Sequence, residues 1–463
     1  MRVIVCGAGK VGTSIAEQLV NQNNDVTVID QSQELISKIS DEVDLNTIIG
    51  SASNPSILEK AGAKEADMII AVTLQDEINM VACQMAHTFF KIPRKIARLR
   101  SEDFLNPIWR NLYNADNMPI DLIISPELEV AKAIIRQLNA PDAFEIVPFC
   151  SDKIELTGIN VNENCPLIDT ELMNIHDIFQ NEDIAKKNLR ASIVAIIRND
   201  KLFIPSKSEK LLLNDKVYLL IDKAHVDRTM SAFGLEEKPI SKLLIVGGGN
   251  IGFNIAKELE DNKSNIAVTV IEQSKERSSK IADNLSNSLV LNGDGLDQDL
   301  LEEANIASSD MILALTDDDE TNIIVSAIAR KNKCKSLILI NNSDYNKIKD
   351  VLGIDRIIDP RMTTVSKILK HVHRGSFMSV YTIGNADAEI IHAAATKTSQ
   401  LLNKTLKEVN LPEGIKIGMI KRGDEIIIPD KNTKIEVGDN VIFITMSKDV
   451  SKAEEIFKIR EAY

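Results

Sequence analysis

The chain repeats itself at the scale of whole domains, and this repeat limits the possible folds more than any other feature. The segment VIVCGAGKVG at 3–12 recurs as LLIVGGGNIG at 243–252. Further along, ADMIIAVT at 66–73 recurs as SDMILALT at 309–316. Self-similarity at a fixed offset is the sequence signature of a repeated architecture. These matches predict two copies of one domain.

A second, unrelated repeat alternates with the first. The segment IIRNDKLFIP at 196–205 resembles IKRGDEIIIP at 420–429. The 463 residues are enough for three or four domains, and the alternation indicates four lobes. We name the predicted lobes N1 (residues 1–140), C1 (144–232), N2 (241–374) and C2 (376–458).

The N lobes alternate short β-branched runs with segments of helical length, such as 11–22 and 78–90. The runs are apolar on both faces, which suits a parallel sheet covered on both sides. We therefore predict an α/β fold with two Rossmann-like, doubly wound parallel sheets. The runs in N1 lie at 3–5, 26–29, 45–49, 68–72 and 120–124.

The C lobes carry turn signatures between short apolar runs. Asn-Asp at 199–200 and Gly-Asp at 423–424 each separate two such runs, which is typical of hairpins. Each Rossmann-like sheet is therefore predicted to be followed by a small α+β domain.

Each N lobe carries a glycine loop of the form G-x-G-x-x-G, at 7–12 and at 247–252. The first glycine permits a tight turn, the second lets the backbone approach a pyrophosphate, and the third lets the helix pack closely. The helix that follows offers free N–H groups to an anion. These loops predict two nucleotide sites; in the alternative interpretation the glycines only shape a turn.

An acid ends the next strand in both copies, 23 residues after Gly7 and 25 residues after Gly247. These acids are Asp30 and Glu272. A carboxylate there accepts the ribose hydroxyls of an adenosine and repels a 2′-phosphate, which favours NAD or an adenine nucleotide over NADP. The alternative is that Asp30 only caps a helix.

Further candidates follow the fourth and fifth strands. Thr73 and Thr316 end strand four, where the ligand crevice of such a sheet lies. Arg98 and Arg100 alternate in strand five, so one face is expected to hold both; a guanidinium there bridges phosphates, unless the strand is a solvated edge. Leu339 stands at the position of Arg98 in N2, so we expect the two sites to differ.

Acids follow strand four in both copies, at 76–77 and 317–320. They mark helix starts, where the helix dipole favours them, better than they mark a metal. No metal site is predicted. No catalytic set stands out either, so the chain is expected not to be an enzyme.

Composition excludes several classes of protein. Asp and Glu number 68 against 54 Lys and Arg, the pI is near 5.1, and aromatics are 4%, which argues against nucleic-acid binding. No run of 18 uncharged apolar residues occurs, and the N-terminus predicts a strand instead of a signal peptide. Five scattered cysteines without a C-x-x-C pair favour a cytoplasmic chain.

These motifs together resemble the TrkA family, the regulatory proteins of Trk potassium-uptake systems. The resemblance covers nearly the whole chain. It rests on GAGKVG at 7–12, GS at 50–51, AGA at 61–63, ADM at 66–68, NMVACQ at 79–84, KIAR at 95–98, GGGNIG at 247–252, LPEG at 411–414 and RGD at 422–424.

The resemblance implies two tandem regulator-of-potassium-conductance (RCK) modules, each a nucleotide-binding lobe followed by a small C-terminal lobe. Such proteins are not enzymes. They lie on the inner face of the cell membrane beneath a potassium-translocating subunit, and they form dimers and tetramers. They bind NAD(H), and in some members ATP or ADP, and nucleotide exchange alters the gate of the transporter.

The resemblance also implies the residues that contact nucleotide. Those of the first site are Gly7, Ala8, Gly9, Lys10, Val11, Gly12, Asp30, Thr73, Leu74 and Arg98. Those of the second are Gly247, Gly248, Gly249, Asn250, Ile251, Gly252 and Glu272. Two departures, Asp294 in place of Ser51 and Leu339 in place of Arg98, predict a second site that binds more weakly or prefers another nucleotide. An NAD-dependent oxidoreductase, or a nucleotide sensor for another channel, is the alternative function.

Overall fold

The computed structural model describes the chain from residue 1 to residue 457, with short gaps. The gaps are residues 23, 115, 141, 181–188, 236–239, 343–344, 346–348, 370, 372–376, 385–386, 398, 403 and 410. The chain divides into two compact units. The first joins Met1–Ile135 with Ile240–Ile368 and holds the sheets of N1 and N2, and the second holds those of C1 and C2. The exact limits predicted for the four lobes stay predictions.

N1 folds into a six-stranded parallel sheet with helices between its strands. Its strands are β1 (Arg2–Cys6), β2 (Asp25–Asp30), β3 (Asn46–Ile49), β4 (Met68–Ala71), β5 (Arg94–Arg98) and β6 (Leu122–Ile124). Its helices are α1 (Lys10–Asn21), α2 (Gln33–Glu42), α3 (Pro55–Lys60), α4 (Asp76–Phe90), α5 (Glu102–Leu105) and α6 (Pro126–Asn139). The strand order is β3-β2-β1-β4-β5-β6, which reverses at β1 and opens a crevice there.

C1 folds into a five-stranded antiparallel sheet. Its strands are β7 (Ala143–Phe149), β8 (Ile154–Asn160), β9 (Ala191–Arg198), β10 (Lys201–Phe203) and β11 (Lys216–Asp222), and its helices are α7 (Leu172–Gln180) and α8 (Val226–Ala232). Asn199 and Asp200, at φ 51° and 58°, form the predicted hairpin turn between β9 and β10.

N2 repeats the topology of N1. Its strands are β12 (Lys242–Val246), β13 (Ala267–Glu272), β14 (Leu289–Asn292), β15 (Met311–Ala314), β16 (Lys335–Leu339) and β17 (Arg356–Ile358). Its helices are α9 (Asn250–Asp261), α10 (Lys275–Asn284), α11 (Gln298–Glu303), α12 (Asp319–Lys331), α13 (Lys349–Leu352) and α14 (Pro360–Leu369). The strands are parallel in the order β14-β13-β12-β15-β16-β17.

C2 repeats the topology of C1. Its strands are β18 (Phe377–Ile383), β19 (Ala388–Ala394), β20 (Ile415–Arg422), β21 (Glu425–Ile427) and β22 (Asn440–Met446), and its helices are α15 (Leu406–Val409) and α16 (Val450–Phe457). Its antiparallel order is β18-β19-β22-β20-β21. The prediction of two doubly wound sheets, each followed by a small α+β domain, is confirmed.

The cores follow from the sequence pattern. In N1 the four residues Val3–Cys6 of β1 are all buried, as expected for a parallel strand covered by helices on both faces. In the second unit C1 and C2 share a core in which Leu156 and Leu220 pack with Ile390 and Ile444. Across the same contact the hydroxyl of Tyr381 donates to Glu145 Oε1 at 2.5 Å. None of the helices among the described residues is long and apolar enough to span a lipid bilayer.

Candidate functional site

The two glycine loops open onto one cavity of about 1390 Å³ within the first unit. Gly9 of N1 and Gly249 of N2 both line it. It lies at the carboxyl ends of the strands, where ligands of doubly wound sheets bind. Its volume exceeds that of an ordinary small-molecule pocket, about 300–1000 Å³, because both lobes contribute a wall.

The three glycines of the N1 loop have three separate structural reasons. Gly7 lies at φ +113°, and a Cβ there would approach the backbone of Val72 and Thr73 at 3.1 Å. A Cβ on Gly12 would lie 1.8 Å from the carbonyl oxygen of Gly7, so the helix packs too closely for any side chain. A Cβ on Gly9 would meet nothing within 4 Å. Gly9 therefore leaves its open face to the cavity.

The N2 loop reproduces this geometry. Gly247 lies at φ +103°, and a Cβ on Gly252 would lie 2.1 Å from the carbonyl oxygen of Gly247. A Cβ on Gly249 again meets nothing within 4 Å. The helices behind the loops begin at Lys10 and Asn250, and neither has a side-chain cap at its first turn. Both loops thus present uncapped N–H groups, as an anion site requires.

The predicted acids tie each loop to the helix after the second strand. Asp30 accepts the N–H of Ala8 at 2.7 Å on one oxygen and the N–H of Ser32 at 2.8 Å on the other. Asp30 is not the helix cap of the alternative interpretation, because α2 is capped by Ser32, whose hydroxyl accepts the N–H of Leu35; Asp30 instead closes the turn before α2. These two hydrogen bonds leave room for a ligand, because each carboxylate oxygen keeps a second acceptor position.

Glu272, whose side chain is one methylene longer than that of Asp30, makes the corresponding two hydrogen bonds in N2. It accepts the N–H of Gly248 at 2.9 Å and that of Ser274 at 2.8 Å. Glu272 is only 6% exposed, and Arg277 Nη1 lies 3.9 Å from its carboxylate. The acid of N2 is therefore more buried and has a cation beside it.

A buried asparagine holds the loop after strand four. Asn79 is fully buried, accepts from the N–H and the hydroxyl of Thr73, and donates to the carbonyl oxygens of Thr73 and Arg98. Asn322 makes the same four bonds to Thr316 and Leu339. Strand four ends at Ala71, two residues before Thr73, and not at Thr73 as predicted.

Arg98 ends β5 and lies on the cavity wall at 7% exposure, so it is not on a solvated edge. Its Nη2 donates to the carbonyl oxygen of Thr73 at 2.7 Å, while its buried Nε has no hydrogen-bond partner within the described part of the chain. Burial, and then the charge of Arg100, lower its pKa. A buried guanidinium with an unused donor beside a cavity fits an anionic ligand.

Arg100 does not share a strand face with Arg98, because β5 ends at Arg98. Its Nε instead donates to Glu127 Oε1 at 2.7 Å, and both residues line the cavity.

The acids at the starts of α4 and α12 accept hydrogen bonds from the loops after β5 and β16. Asp76 accepts the N–H groups of Arg100 and Ser101, both at 2.8 Å. Asp319 accepts the N–H groups of Asn341 and Asn342, at 2.8 and 2.9 Å. In the described ranges no group of three or more His, Cys, Asp or Glu side chains could hold a metal ion.

The two halves of the cavity wall differ in charge. The N1 half carries three basic and two acidic side chains, namely Lys10, Arg98, Arg100, Asp30 and Glu127. The N2 half carries two basic and four acidic side chains, namely Arg277, Arg361, Glu272, Asp294, Asp317 and Asp318. The N1 half therefore suits a pyrophosphate better than the N2 half does.

Comparison with protein families matches all four lobes. The TrkA-N domain model matches residues 3–126 and 243–360, and the TrkA-C domain model matches 156–234 and 393–458. The chain is 38% identical over 460 residues to the Trk system potassium uptake protein TrkA of Azorhizobium caulinodans, with 99% of each chain covered. The chain belongs to the TrkA family.

Other TrkA relatives match over the same length. The TrkA protein of Vibrio alginolyticus is 35% identical over 463 residues, again with 99% of each chain covered. Among solved structures, the GsuK channel bound to NAD superimposes with a TM-score of 0.60 at 16% identity, covering 98% of this TrkA family member and 78% of that chain. The GsuK RCK domain gives 0.59 at 16% identity, covering 98% and 94% of the two chains. These structures show that the fold is shared.

Most of the predicted site residues of this TrkA family member line the cavity. Those on its wall are Gly7, Gly9, Lys10, Val11, Asp30, Thr73, Leu74, Arg98, Gly247, Gly249, Asn250, Ile251 and Glu272. Ala8, Gly12, Gly248 and Gly252 are not among the lining residues. Sequence reasoning missed Glu127, Arg277 and Arg361 on the wall, and Asn79 behind it. The repeat would have pointed to Asn79, since an asparagine follows Thr73 and Thr316 at the same spacing.

Proposed function

We propose that this chain is the nucleotide-binding regulatory subunit of a Trk-type potassium uptake system, acting on the cytoplasmic face of the cell membrane. Its TrkA relatives carry the name of that system. The observation that carries the proposal is the cavity itself, because both glycine loops open onto it and both N lobes supply its wall. A ligand in such a cavity touches two lobes and can change how they pack.

The residues present fit an adenine dinucleotide in N1. The uncapped N–H groups at the start of α1 and the guanidinium of Arg98 would hold the pyrophosphate, and Asp30 would accept the adenosine ribose hydroxyls. We propose NAD(H) as the ligand, with ATP or ADP competing for the same adenosine position. Asp30 would repel a 2′-phosphate, so wild-type protein should bind NADH more tightly than NADPH in calorimetric titration. Equal affinities would remove this role of Asp30.

The nucleotide acts in this proposal as a switch ligand that is not consumed. A ligand shifts a gating equilibrium only by its different affinities for the two states. Moving a population from 1:99 to 99:1 needs about 5.5 kcal/mol of that difference. Coupling at one site is typically about 1–3 kcal/mol, so several sites in a homo-oligomer, a dimer or tetramer bound to the potassium-translocating subunit, would supply it together.

Potassium flux through a reconstituted transporter tests the proposal. Flux should depend on adding this protein, and the effect of the protein should change with NADH, NAD, ADP or ATP. Gly9→Asp protein should remain bound to the transporter but lose the response to NADH. Solution scattering should show a change of shape when nucleotide is added to the purified protein.

The oxidoreductase alternative is tested in the same preparation. We expect no NADH oxidation above background with common carbonyl substrates. Sustained turnover with any metabolite, together with no effect on potassium flux, would replace the regulatory proposal with the oxidoreductase.

A further inference from the structure

Unpartnered polar atoms collect on the wall of the shared cavity. Within the described residues, three buried side-chain atoms without a hydrogen-bond partner belong to wall residues: Arg98 Nε, Glu127 Oε2 and Arg361 Nε. Two are donors on cations and one is a carboxylate acceptor. A ligand that satisfies them needs phosphate oxygens for the guanidinium groups and a hydroxyl for the carboxylate.

Glu127 is the least expected member of this set. It lies at the start of α6, immediately after Pro126, and is nine-tenths buried. Its Oε1 accepts from Arg100 Nε at 2.7 Å, so only Oε2 is left for a ligand. A buried carboxylate oxygen without a donor is costly, and a ligand hydroxyl would remove that cost.

The strand order places Glu127 on the far side of the glycine loop from Asp30. Asp30 ends β2, one strand to one side of β1, whereas Glu127 follows β6, three strands to the other side. Neighbouring strands are about 4.8 Å apart, so β6 lies about 14 Å from β1. The guanidinium of Arg98 lies between them, since it bonds to the carbonyl oxygen of Thr73 after β4.

This order matches the order of groups in a dinucleotide. With the adenosine ribose at Asp30 and the pyrophosphate at the glycine loop and Arg98, the chain of the ligand continues toward β6. We propose that Glu127 accepts a hydrogen bond from a hydroxyl of the second ribose, and that it thereby makes N1 select dinucleotides over mononucleotides. The inference rests on the proposed binding of NAD(H) in N1.

N2 lacks this arrangement. Pro360 and Arg361 stand where N1 has Pro126 and Glu127, and Leu339 stands where N1 has Arg98. Arg361 Nη2 is bonded to Asp359 at 2.7 Å and offers no acceptor to a ribose hydroxyl. N2 should therefore show no preference for a second ribose.

Calorimetric titration of the full chain with NADH, ADP-ribose and ADP tests the proposal. ADP-ribose carries the second ribose without the nicotinamide, so it separates the two parts of NADH. Wild-type protein should bind NADH and ADP-ribose with similar affinity, and both about 10-fold or more tighter than ADP. Glu127→Gln, which keeps the side-chain volume, should weaken NADH and ADP-ribose by about 10-fold relative to ADP.

Loss of the Glu127 charge also affects the pyrophosphate that all three ligands share, so the test compares ratios of affinities. Two control variants distinguish a specific contact with the second ribose from such a general electrostatic effect. Glu102→Gln, at an exposed carboxylate of the same lobe, should leave all three affinities unchanged. Gly9→Asp protein, in which only N2 remains intact, should bind ADP-ribose and ADP alike.

Three results would overturn the proposal. In the first, Glu127→Gln and Glu127→Ala change all three affinities by one factor. In the second, wild-type protein binds ADP-ribose no better than ADP. In the third, only the affinity for NADH falls, which would mean that Glu127 contacts the nicotinamide instead of the ribose. Each of these leaves nucleotide regulation standing, whereas a wild-type protein that binds none of the three ligands would end the proposed function itself.

Discussion

The crevices of N1 and N2 share one backbone scaffold but differ in the side chains that line the cavity. The glycine turns, the asparagine behind strand four and the acid at the start of the next helix have the same geometry in both lobes. By contrast, the positions of Arg98 and Glu127 hold Leu339 and Arg361 in N2. Features that build the crevice are the same in both lobes, whereas the side chains proposed to select its ligand differ.

The difference shows which parts of the motif the fold itself requires. A Cβ on Gly12 or Gly252 would collide with the backbone carbonyl of Gly7 or Gly247, so either lobe needs glycine there even without a ligand. Gly9 and Gly249 are under no such requirement, since a Cβ there meets open space. In the proposed function, glycine at these two positions permits the close approach of a ligand, and they are therefore the best places to test the two sites separately.

The largest expected effect comes from a carboxylate at these open positions. Gly9→Asp should weaken NADH binding by about 100-fold or more, because like charges about 4 Å apart repel by about 4 kcal/mol at an effective dielectric of 20. Gly249→Asp should spare most NADH binding, since N2 lacks Arg98. Both variants should unfold at the wild-type temperature, because a Cβ at either position meets nothing within 4 Å. Equal loss of NADH in the two variants would make the sites equivalent.

The next effect is that of the arginine itself. Arg98→Leu gives N1 the residue of N2 and should cost about 1.5–3 kcal/mol of NADH binding, the usual contribution of a hydrogen bond to a charged group. The free energy of unfolding without nucleotide should not fall, because the change removes a buried cation that burial disfavours. Calorimetry measures the binding and thermal denaturation the stability. A variant that unfolds earlier but binds NADH normally would assign Arg98 to the fold.

Loss of the buried asparagine behind strand four should destabilise the two lobes equally. Asn79→Ala and Asn322→Ala each leave buried N–H and C=O groups without a partner, which costs about 1–3 kcal/mol per lobe. Differential scanning calorimetry should show similar losses for the two variants, and Asn21→Ala, at an exposed end of α1, should show none. A large difference between Asn79 and Asn322 would mean that the lobes do not depend on one scaffold.

The sequence predicted the fold and the part of the cavity wall around the glycine loops because both follow from local patterns. Apolar runs, glycine spacing and an acid at a strand end are set within about thirty residues of one another. Glu127 and Arg361 were not predicted as cavity residues. Their position on the wall depends on where β6 and β17 join the sheets, and no local sequence pattern indicates that. Arg98 was found, yet its burial was not, since residue type alone predicts an exposed arginine.

The smallest expected effect concerns a pair of differences that compensate each other. N1 combines Ala8 with Asp30, whereas N2 combines Gly248 with the longer Glu272. A Cβ on Gly248 would lie 3.1 Å from both Cβ and Oε2 of Glu272, and 2.4 Å from Cδ1 of Ile281.

Gly248→Ala should therefore destabilise N2 by about 1–3 kcal/mol, the usual cost of overpacking. Glu272→Asp in the same chain should recover about 0.5–1 kcal/mol of that loss, because the shorter acid restores the N1 combination while Ile281 still has to move. A double-mutant cycle on the free energy of unfolding measures the coupling. Strictly additive effects would mean that residue 248 and residue 272 do not interact, and that the clash with Ile281 alone requires glycine at position 248.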